Sequence, residues 1–186
     1  MAAKLFIVSA PSGAGKTTLV TQLLKRFPDL VYSISHTTRD PRPGEVHGRE
    51  YFFTDKERFM EMVEAGQMLE WAQVHGNCYG TSAAFVQERL AAGQSVLLDI
   101  DVQGGRQIMD FGLDCTSIFI MAPSLDILEQ RLRGRGTDTE AVILTRLENA
   151  KGEIDQKSFY KHVVVNDVLD EAVAELVGIF EQETAN

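Results

Sequence analysis

The sequence predicts an α/β protein whose parallel β-sheet is covered by helices on both faces. Three observations lead to this prediction. Apolar runs alternate with amphipathic segments along the chain, which is typical of parallel strands joined by helical crossovers. A glycine-rich turn follows the first apolar run directly. Short strands and helices at 35–93 interrupt the alternation and predict a small α+β insertion.

The first strand leads into a phosphate-binding motif. Leu5–Val8 runs into SAPSGAGKTT and then into a predicted helix at 18–27. Two glycines allow a tight turn, Lys16 adds charge at the helix N-terminus, and the Thr17 hydroxyl suits Mg²⁺. Ala10 replaces the first glycine of the usual G-x-x-x-x-G-K-[ST] pattern, yet a turn that only joined strand to helix would not explain Lys16 and Thr17. The motif predicts nucleotide phosphate binding by Ala10, Pro11, Ser12, Gly13, Ala14, Gly15, Lys16, Thr17 and Thr18.

The next third of the chain predicts the insertion. Strands are expected at three apolar or alternating segments, Val31–His36, Tyr51–Phe53 and Met68–His75. A proline- and arginine-rich loop separates the first two strands. Thr54–Glu57 fits a capping box for a helix that Gly66 ends. Gly76 and Gly80 are expected in one turn, and Ser82 is expected to begin the next helix.

The α/β alternation then resumes. Further strands are predicted at Ser95–Asp101, Thr116–Ala122 and Val163–Val165. Helices are predicted at Val102–Phe111, after Ser124, after a second capping box at Thr137–Glu140, and at 173–180. Asp99 and Asp101 are two residues apart, so both should lie on one face at the carboxyl end of their strand. At least one of them should help Thr17 hold Mg²⁺, and the alternative for either is a helix cap.

Composition limits the classes of function. The 186 residues suffice for one domain with a core, and we expect no signal peptide and no membrane span. Cys78 and Cys115 form no C-x-x-C pair, so we expect reduced thiols and a cytoplasmic protein. The formal net charge of −9 argues against a protein that coats nucleic acid.

Two arginine clusters indicate a negatively charged ligand. Arg39 and Arg42 flank one loop, and Arg131, Arg133 and Arg135 crowd another. The sequence shows no serine–histidine–acid set, paired cysteine site or zinc spacing. A phosphate acceptor, with a second pKa near ~6, is largely ionised at neutral pH and needs no general base. The residues alone therefore favour a kinase that acts on a phosphorylated small molecule.

The motifs as a set resemble the guanylate kinase family from about Leu5 to Phe180. The resemblance lies in SAPSGAGKTT, SHTTRDPRPGEVHGREYFF, LEWAQVHGNCYGT, LLDIDVQG, RLRGRGTDTE and VVND. It implies a P-loop NTPase-type fold and the reaction ATP + GMP = ADP + GDP with Mg²⁺, in purine metabolism and GMP recycling. It implies one domain at 4–184, with a core (4–34, 94–125 and 157–184), a GMP-binding insertion (35–93) and a helical lid (126–156).

The resemblance also implies a role for each matching residue. The residues implied to bind GMP are Ser35, Arg39, Arg42, Glu45, Tyr51, Glu70, Tyr79, Thr81, Asp99 and Asp101. The catalytic set is Lys16, Arg39, Arg131, Arg135 and Arg146, of which the last three are lid arginines. Arg131, Arg135, Asn166 and Asp167 are implied to join the loop in binding ATP, and Thr17, Asp99 and Asp101 to hold Mg²⁺, partly through water.

Guanine chemistry agrees with two of these roles. A carboxylate at Glu70 can accept from both guanine nitrogens, and a hydroxyl at Thr81 can donate to its oxygen. Adenine lacks the ring N–H, and losing a hydrogen bond to a charged group costs ~1.5–3 kcal/mol.

The alternatives are a kinase for another nucleoside monophosphate and a non-catalytic guanylate-kinase-like binding module. Expected partners are ATP and GMP, with dGMP a further candidate, in a monomer or small homo-oligomer without nucleic acid, membrane or obligate protein partner.

Overall fold

The computed structural model describes residues 3–74, 76–134, 136 and 138–185. The strands are β1 (Leu5–Ser9), β2 (Val31–Tyr32), β3 (His36–Thr37), β4 (Phe52–Phe53), β5 (Met68–Val74), β6 (Asn77–Ser82), β7 (Val96–Asp99), β8 (Cys115–Met121) and β9 (His162–Val165). The helices are α1 (Lys16–Arg26), α2 (Lys56–Glu64), α3 (Ala83–Ala91), α4 (Val102–Asp110), α5 (Leu125–Gly134), α6 (Glu140–Asp155) and α7 (Leu169–Ala185), with a 3₁₀ helix at Gln156–Phe159. None of the helices in the described part of the chain has the length and hydropathy of a bilayer-spanning segment.

The core is a five-stranded sheet in the order β2-β7-β1-β8-β9, and every neighbouring pair of strands is parallel. Alternate residues of the central strand β1 face opposite sides of the sheet. Phe6 and Val8 pack in one core with residues of α1, α5 and α7. Leu5 and Ile7 pack in a second core with residues of α3 and α4. The predicted parallel sheet between two helical layers is therefore confirmed.

Residues 36–82 contribute all four strands of a second sheet, ordered β4-β3-β6-β5. Here the prediction of one strand at Val31–His36 is wrong. Val31 and Tyr32 pair with β7 in the parallel sheet, whereas His36 and Thr37 pair with β4 and β6. Because the residues between them stay wholly or partly buried, the alternating pattern continues while the partner strand changes.

Gly80 is also placed differently from the prediction. It lies inside strand β6 rather than in the turn, opposite His36 on one side and Trp71 on the other. A Cβ at this position would lie 3.0 Å from the Glu70 carbonyl oxygen and 3.1 Å from the Phe59 ring. The glycine therefore permits close packing within the sheet, whereas Gly76, with φ +84°, lies at the turn.

Both predicted capping boxes are shifted along the chain. Asp55, not Thr54, is the N-cap of α2, and its Oδ1 accepts from the Arg58 N–H at 2.7 Å. Asp is among the strongest N-cap residues, so it displaces the threonine before it. Thr139 is the N-cap of α6, and Thr137 lies outside the described residues. The helices themselves were predicted correctly.

A buried carboxylate anchors the last helix to the sheet. Glu183 of α7 accepts hydrogen bonds from the Thr116 hydroxyl at 3.0 Å and from Lys161 Nζ at 2.8 Å. His162 Nε2 lies 3.2 Å from the same carboxylate. Lys161, then His162 and Thr116, lower the pKa of Glu183 to about 2. The anchor joins α7 to the N-terminal ends of β8 and β9.

We expect Glu183→Gln to lower the free energy of unfolding by about 2 kcal/mol at pH 7. The substitution removes the negative charge from a buried group and so weakens the hydrogen bonds that the carboxylate accepts. The loss should show as a lower urea midpoint. A carboxyl whose folded pKa is depressed stabilises the fold above its unfolded pKa. The difference from wild type should therefore shrink as pH falls from about 4.5 toward 2.

The matched control is Glu181→Gln, which removes the same charge from an exposed position on the same helix. Its side chain is 56% exposed and lies 3.7 Å from Arg26, so little stability should be lost. Equal urea midpoints for the two variants would contradict the anchor.

Candidate active site

The loop predicted to bind phosphate, residues 10–18 (the phosphate-binding loop), follows β1, and its last three residues already belong to α1, which begins two residues before the predicted helix. Gly13 and Gly15 both have φ of +93°, which favours glycine. At Gly15 a Cβ would also lie 2.2 Å from Asn166 Nδ2, so the loop has no room for another residue there. Asn166 is buried behind the loop and donates to the Ala14 carbonyl at 2.8 Å. The loop conformation is thus fixed from inside the protein.

Lys16 connects the loop to the neighbouring strand. Its Nζ lies 2.5 Å from Asp99 Oδ1 and donates to the Ile100 carbonyl at 3.1 Å. Because β1 and β7 are parallel neighbours, their carboxyl ends meet at one edge of the sheet. The Tyr32 hydroxyl lies 3.5 Å from Asp99 Oδ2, and burial together with Asp99 raises the pKa of Tyr32. Asp99 is therefore held between a cation and a phenol.

Asp99 and Asp101 do not share a strand face, because β7 ends at Asp99. Asp101 is the N-cap of α4, where its Oδ1 accepts from the Gly104 N–H at 2.9 Å. The capping alternative is therefore correct for Asp101. Both carboxylates nevertheless line the same cavity.

This central cavity has a volume of about 450 Å³ and brings most predicted site residues together. Those in its lining are Ala10, Pro11, Ser12, Gly13, Gly15, Lys16, Thr17, Thr18, Ser35, Arg42, Tyr51, Glu70, Tyr79, Asp99, Asp101 and Arg146. Among the described residues, the predicted ones outside the lining are Ala14, Arg39, Glu45, Thr81, Arg131, Asn166 and Asp167. Arg135 lies outside the described residues.

Glu70 forms the buried wall of the cavity, with only 4% of its surface exposed. It lies opposite Thr81 in the β5–β6 pair, and the Thr81 hydroxyl donates to Glu70 Oε1 at 2.6 Å. Gly104 leaves room for the Glu70 carboxylate, because a Cβ at position 104 would lie 2.1 Å from Glu70 Oε2. Burial raises the pKa of Glu70 to about 7. The carboxylate thus faces the cavity with few partners of its own.

The predicted phosphate clamp is held together by Glu45. Arg39 Nη2 donates to both Glu45 oxygens at 2.9 Å, and the Arg42 N–H donates to Glu45 Oε2 at 2.8 Å. The Arg39 guanidinium lies 5.3 Å from the centre of the Tyr51 ring, and the Tyr51 and Tyr79 rings meet edge to face at 5.9 Å. Glu45 thus acts as a partner of the arginine loop, and Arg42, Tyr51 and Tyr79 line the cavity.

The arginines predicted to belong to a lid contact different parts of the protein. Arg146 Nη1 donates to the Ser12 hydroxyl at 3.4 Å and lies 3.2 Å from Asp138. Arg131 Nη2 donates to the Asp167 carbonyl at 3.5 Å. Arg133, from the same cluster, pairs with Glu129 and Glu140 on the surface.

Residue-by-residue prediction missed further groups in the lining: Tyr32, Glu50, Val74, Ile100 and Glu153. For Glu153 a signal was present in the sequence. It follows Arg146 by seven residues, which is close to two helical turns and places both side chains on one face of α6. Burial and nearby Asp101 raise the pKa of Glu153 to about 7.

Comparisons with known proteins agree with this geometry. The sequence model of the guanylate kinase family matches residues 2–183. A guanylate kinase of Geobacter sulfurreducens is 48% identical over 94% of this chain and 86% of its own length. A guanylate kinase of Chromobacterium violaceum is 51% identical over 94% of this chain and 83% of its own length.

A solved structure indicates the same family. The crystal structure of guanylate kinase from Anaplasma phagocytophilum superposes with a TM-score of 0.80 at 32% identity, over 98% of this chain and 86% of that one. Sequence and structure therefore agree that the chain belongs to the guanylate kinase family.

Proposed function

We propose that the protein catalyses ATP-dependent phosphorylation of GMP: ATP + GMP = ADP + GDP. The observation that best supports this reaction is the central cavity, which has the phosphate-binding loop on one side and Glu70, hydrogen-bonded to Thr81 behind it, on another. Donor phosphates and an acceptor base would then meet across a cavity of about 450 Å³. The family membership supports the same reaction.

On the donor side, the loop N–H groups and the start of α1 attract phosphate oxygens. Lys16 already reaches the carboxyl edge of the sheet, where its ammonium would neutralise charge on the transferred group. Asn166 and Asp167 follow β9 next to the loop, and we propose that they border the adenine with Arg131.

On the acceptor side, the buried Glu70 carboxylate would accept from the two guanine nitrogens, and Thr81 would turn its single hydroxyl hydrogen from Glu70 Oε1 to the guanine oxygen. Ser35, Arg42, Tyr51 and Tyr79 line the cavity and would bind the GMP phosphate. Arg39 would join them by exchanging part of its contact with Glu45 for the phosphate.

The acceptor phosphate attacks without a general base because it is already ionised at neutral pH. The protein's task is to align the two phosphates, neutralise their charge and exclude water. We propose that residues 35–93 bind GMP, and that 126–156 form a lid whose Arg131, Arg135 and Arg146 close on the transferred group, over a core of 4–34, 94–125 and 157–184.

The donor set fits Mg²⁺ bound together with the nucleotide. Within the described ranges, no cluster of three or more His, Cys, Asp or Glu side chains is arranged to hold a metal. Mg²⁺ usually takes one or two carboxylates and completes its shell with phosphates and water. Thr17 and Asp99, with Asp101 through water, would hold it at the cavity. When bound, it neutralises charge on the phosphate oxygens.

Related proposals follow from the same chemistry. GMP recycling in purine nucleotide metabolism is the proposed role, with dGMP as a further candidate substrate. The free thiols of Cys78 and Cys115 support a cytoplasmic location.

A coupled assay of ADP formation tests the proposal. We expect turnover with ATP and GMP to exceed turnover with AMP or UMP by at least about tenfold, since one charged hydrogen bond is at stake. A clear preference for AMP or UMP would contradict the assigned substrate. Calorimetric titration with ATP and with GMP distinguishes a kinase from the non-catalytic binding module, since the module would bind GMP without binding ATP.

A further inference from the structure

Helix α4 holds strand β5 through the side chain of Gln107. β5 is the last strand in the order of the second sheet, and β6 pairs with one of its two sides. On the other side, Gln107 Nε2 donates to the Trp71 carbonyl at 2.7 Å, and the Trp71 N–H donates to Gln107 Oε1 at 3.2 Å. One amide side chain thus makes both hydrogen bonds that a neighbouring strand would make at this residue, and it joins the second sheet to a helix that packs on the parallel sheet.

The residue held in this way follows Glu70 directly. Met68 lies opposite Ser82 of β6, and Glu70, two residues later, lies opposite the residue next to Ser82. β5 therefore has one extra residue at this point. Such a bulge changes the direction in which the neighbouring side chains point. Hydrogen bonds that fix the backbone at Trp71 thus fix the course of the strand just after the bulge, and with it the direction of the Glu70 side chain.

The same face of α4 also lies beside the Glu70 carboxylate. Gly104 precedes Gln107 by three residues, which places both on one side of the helix. The space that a side chain at position 104 would fill is taken by Glu70 Oε2. Helix α4 therefore meets two consecutive residues of β5, first the carboxylate of Glu70 and then the backbone of Trp71.

We propose that Gln107 is a positioning residue for guanine recognition, which holds β5 so that the Glu70 carboxylate faces the central cavity where the base binds. The inference rests on the proposed function, since it takes Glu70 to be the guanine acceptor. Gln107 lies outside the lining of the central cavity. It therefore acts through Glu70 and not by touching GMP.

Gln107→Met tests the inference, because methionine has a similar length and shape but offers no donor and only a weak acceptor. Without the two hydrogen bonds, β5 shifts against α4 and the Glu70 carboxylate is displaced. We expect GMP to bind about tenfold more weakly, a smaller loss than replacement of Glu70 itself would cause, since the carboxylate is still present. ATP affinity should equal that of wild type, because the phosphate-binding loop is on other elements.

A double variant provides a readout that a general loss of stability would not move. Because Gln107 acts through Glu70, Gln107→Met should weaken GMP binding by no more than about threefold when Glu70→Gln is already present. The matched control is Gln87→Met, the same substitution at an exposed position of α3. This control should bind GMP and ATP as wild type does.

Isothermal titration of these proteins with GMP and with ATP distinguishes the outcomes. Unchanged GMP affinity in Gln107→Met would overturn the inference, and so would an equal loss with and without Glu70→Gln. Weaker binding of both nucleotides would overturn it as well, because the role of Gln107 would then be structural only. If Gln107→Met does not fold, Gln107→Asn, whose amide is too short to make both hydrogen bonds, provides the same test. Failure of wild type to bind GMP would instead contradict the proposed function.

Discussion

Lys16→Ala should lower kcat by a factor on the order of 10³ while GMP binding largely survives, because a preorganised charge at the transferred group is lost. Lys16 is the cation that the phosphate-binding loop itself contributes to the cavity. The Glu70–Thr81 pair is on different elements and does not depend on it. Steady-state kinetics and calorimetric GMP titration would measure the two effects separately.

Lys25→Ala is the control for this variant, because Lys25 is an exposed cation in the last turn of the same helix. It should leave kcat and KM within about twofold of wild type, as surface substitutions usually do. Near-normal turnover of Lys16→Ala would show that the loop is not the phosphate donor site. Loss of GMP binding in that variant would show that Asp99, left without its cation, disturbs the acceptor side.

Much of this site follows from local sequence. The loop, its preceding strand and its helix are encoded within residues 5–26, where glycine conformation and apolar patterning decide the structure. The central strands β1 and β7 follow in the same way, because each contains a short continuous apolar run, whereas the position of the edge strand β2 did not follow. Recognising β7 was enough to place Asp99 at the sheet edge, but the shared strand face was wrong, because Asp101 lies beyond β7 as the N-cap of α4.

The rest depends on contacts between distant residues. Gly80 resembles a turn glycine in the sequence, and only the packing of Phe59 and Trp71 shows why it lies in a strand. Arg39 and Glu45 are six residues apart in a loop without periodicity, so their pairing was not predictable. The role of Glu70 came from family resemblance, since an isolated glutamate on a strand is usually a surface residue.

Glu70→Gln should reduce kcat/KM for GMP by about 100-fold, within the range for losing a hydrogen bond to a buried charge. An amide can accept from only one guanine nitrogen and turns a donor toward the other. Discrimination against AMP should fall by a similar factor, since AMP never used the full carboxylate. Glu64→Gln, an exposed residue of α2, is the charge-matched control and should behave as wild type.

The partner variant Thr81→Val keeps the side-chain shape and removes the hydroxyl that donates to Glu70 at 2.6 Å. Because the two side chains touch, the losses in the double variant should be less than additive. Strict additivity would indicate that the pair does not read guanine as a unit. Thr81→Ser, which restores the hydroxyl, should recover most of the activity.

The pH dependence of GMP binding tests the role of Glu70 when wild type is compared with Glu70→Gln. Burial raises the pKa of Glu70 to about 7 in the free protein, so part of the population carries a protonated Glu70 at neutral pH. Guanine N–H donors bind the ionised form, which lowers this pKa in the complex. GMP binding at neutral pH should therefore release protons, and affinity should fall as pH decreases from about 8 to about 6. Calorimetry in two buffers of different ionisation enthalpy measures the release directly. In Glu70→Gln the GMP phosphate, with its second pKa near ~6, and Glu153, with a pKa of about 7, still titrate, so a release equal to that of wild type would exclude Glu70 as the guanine acceptor.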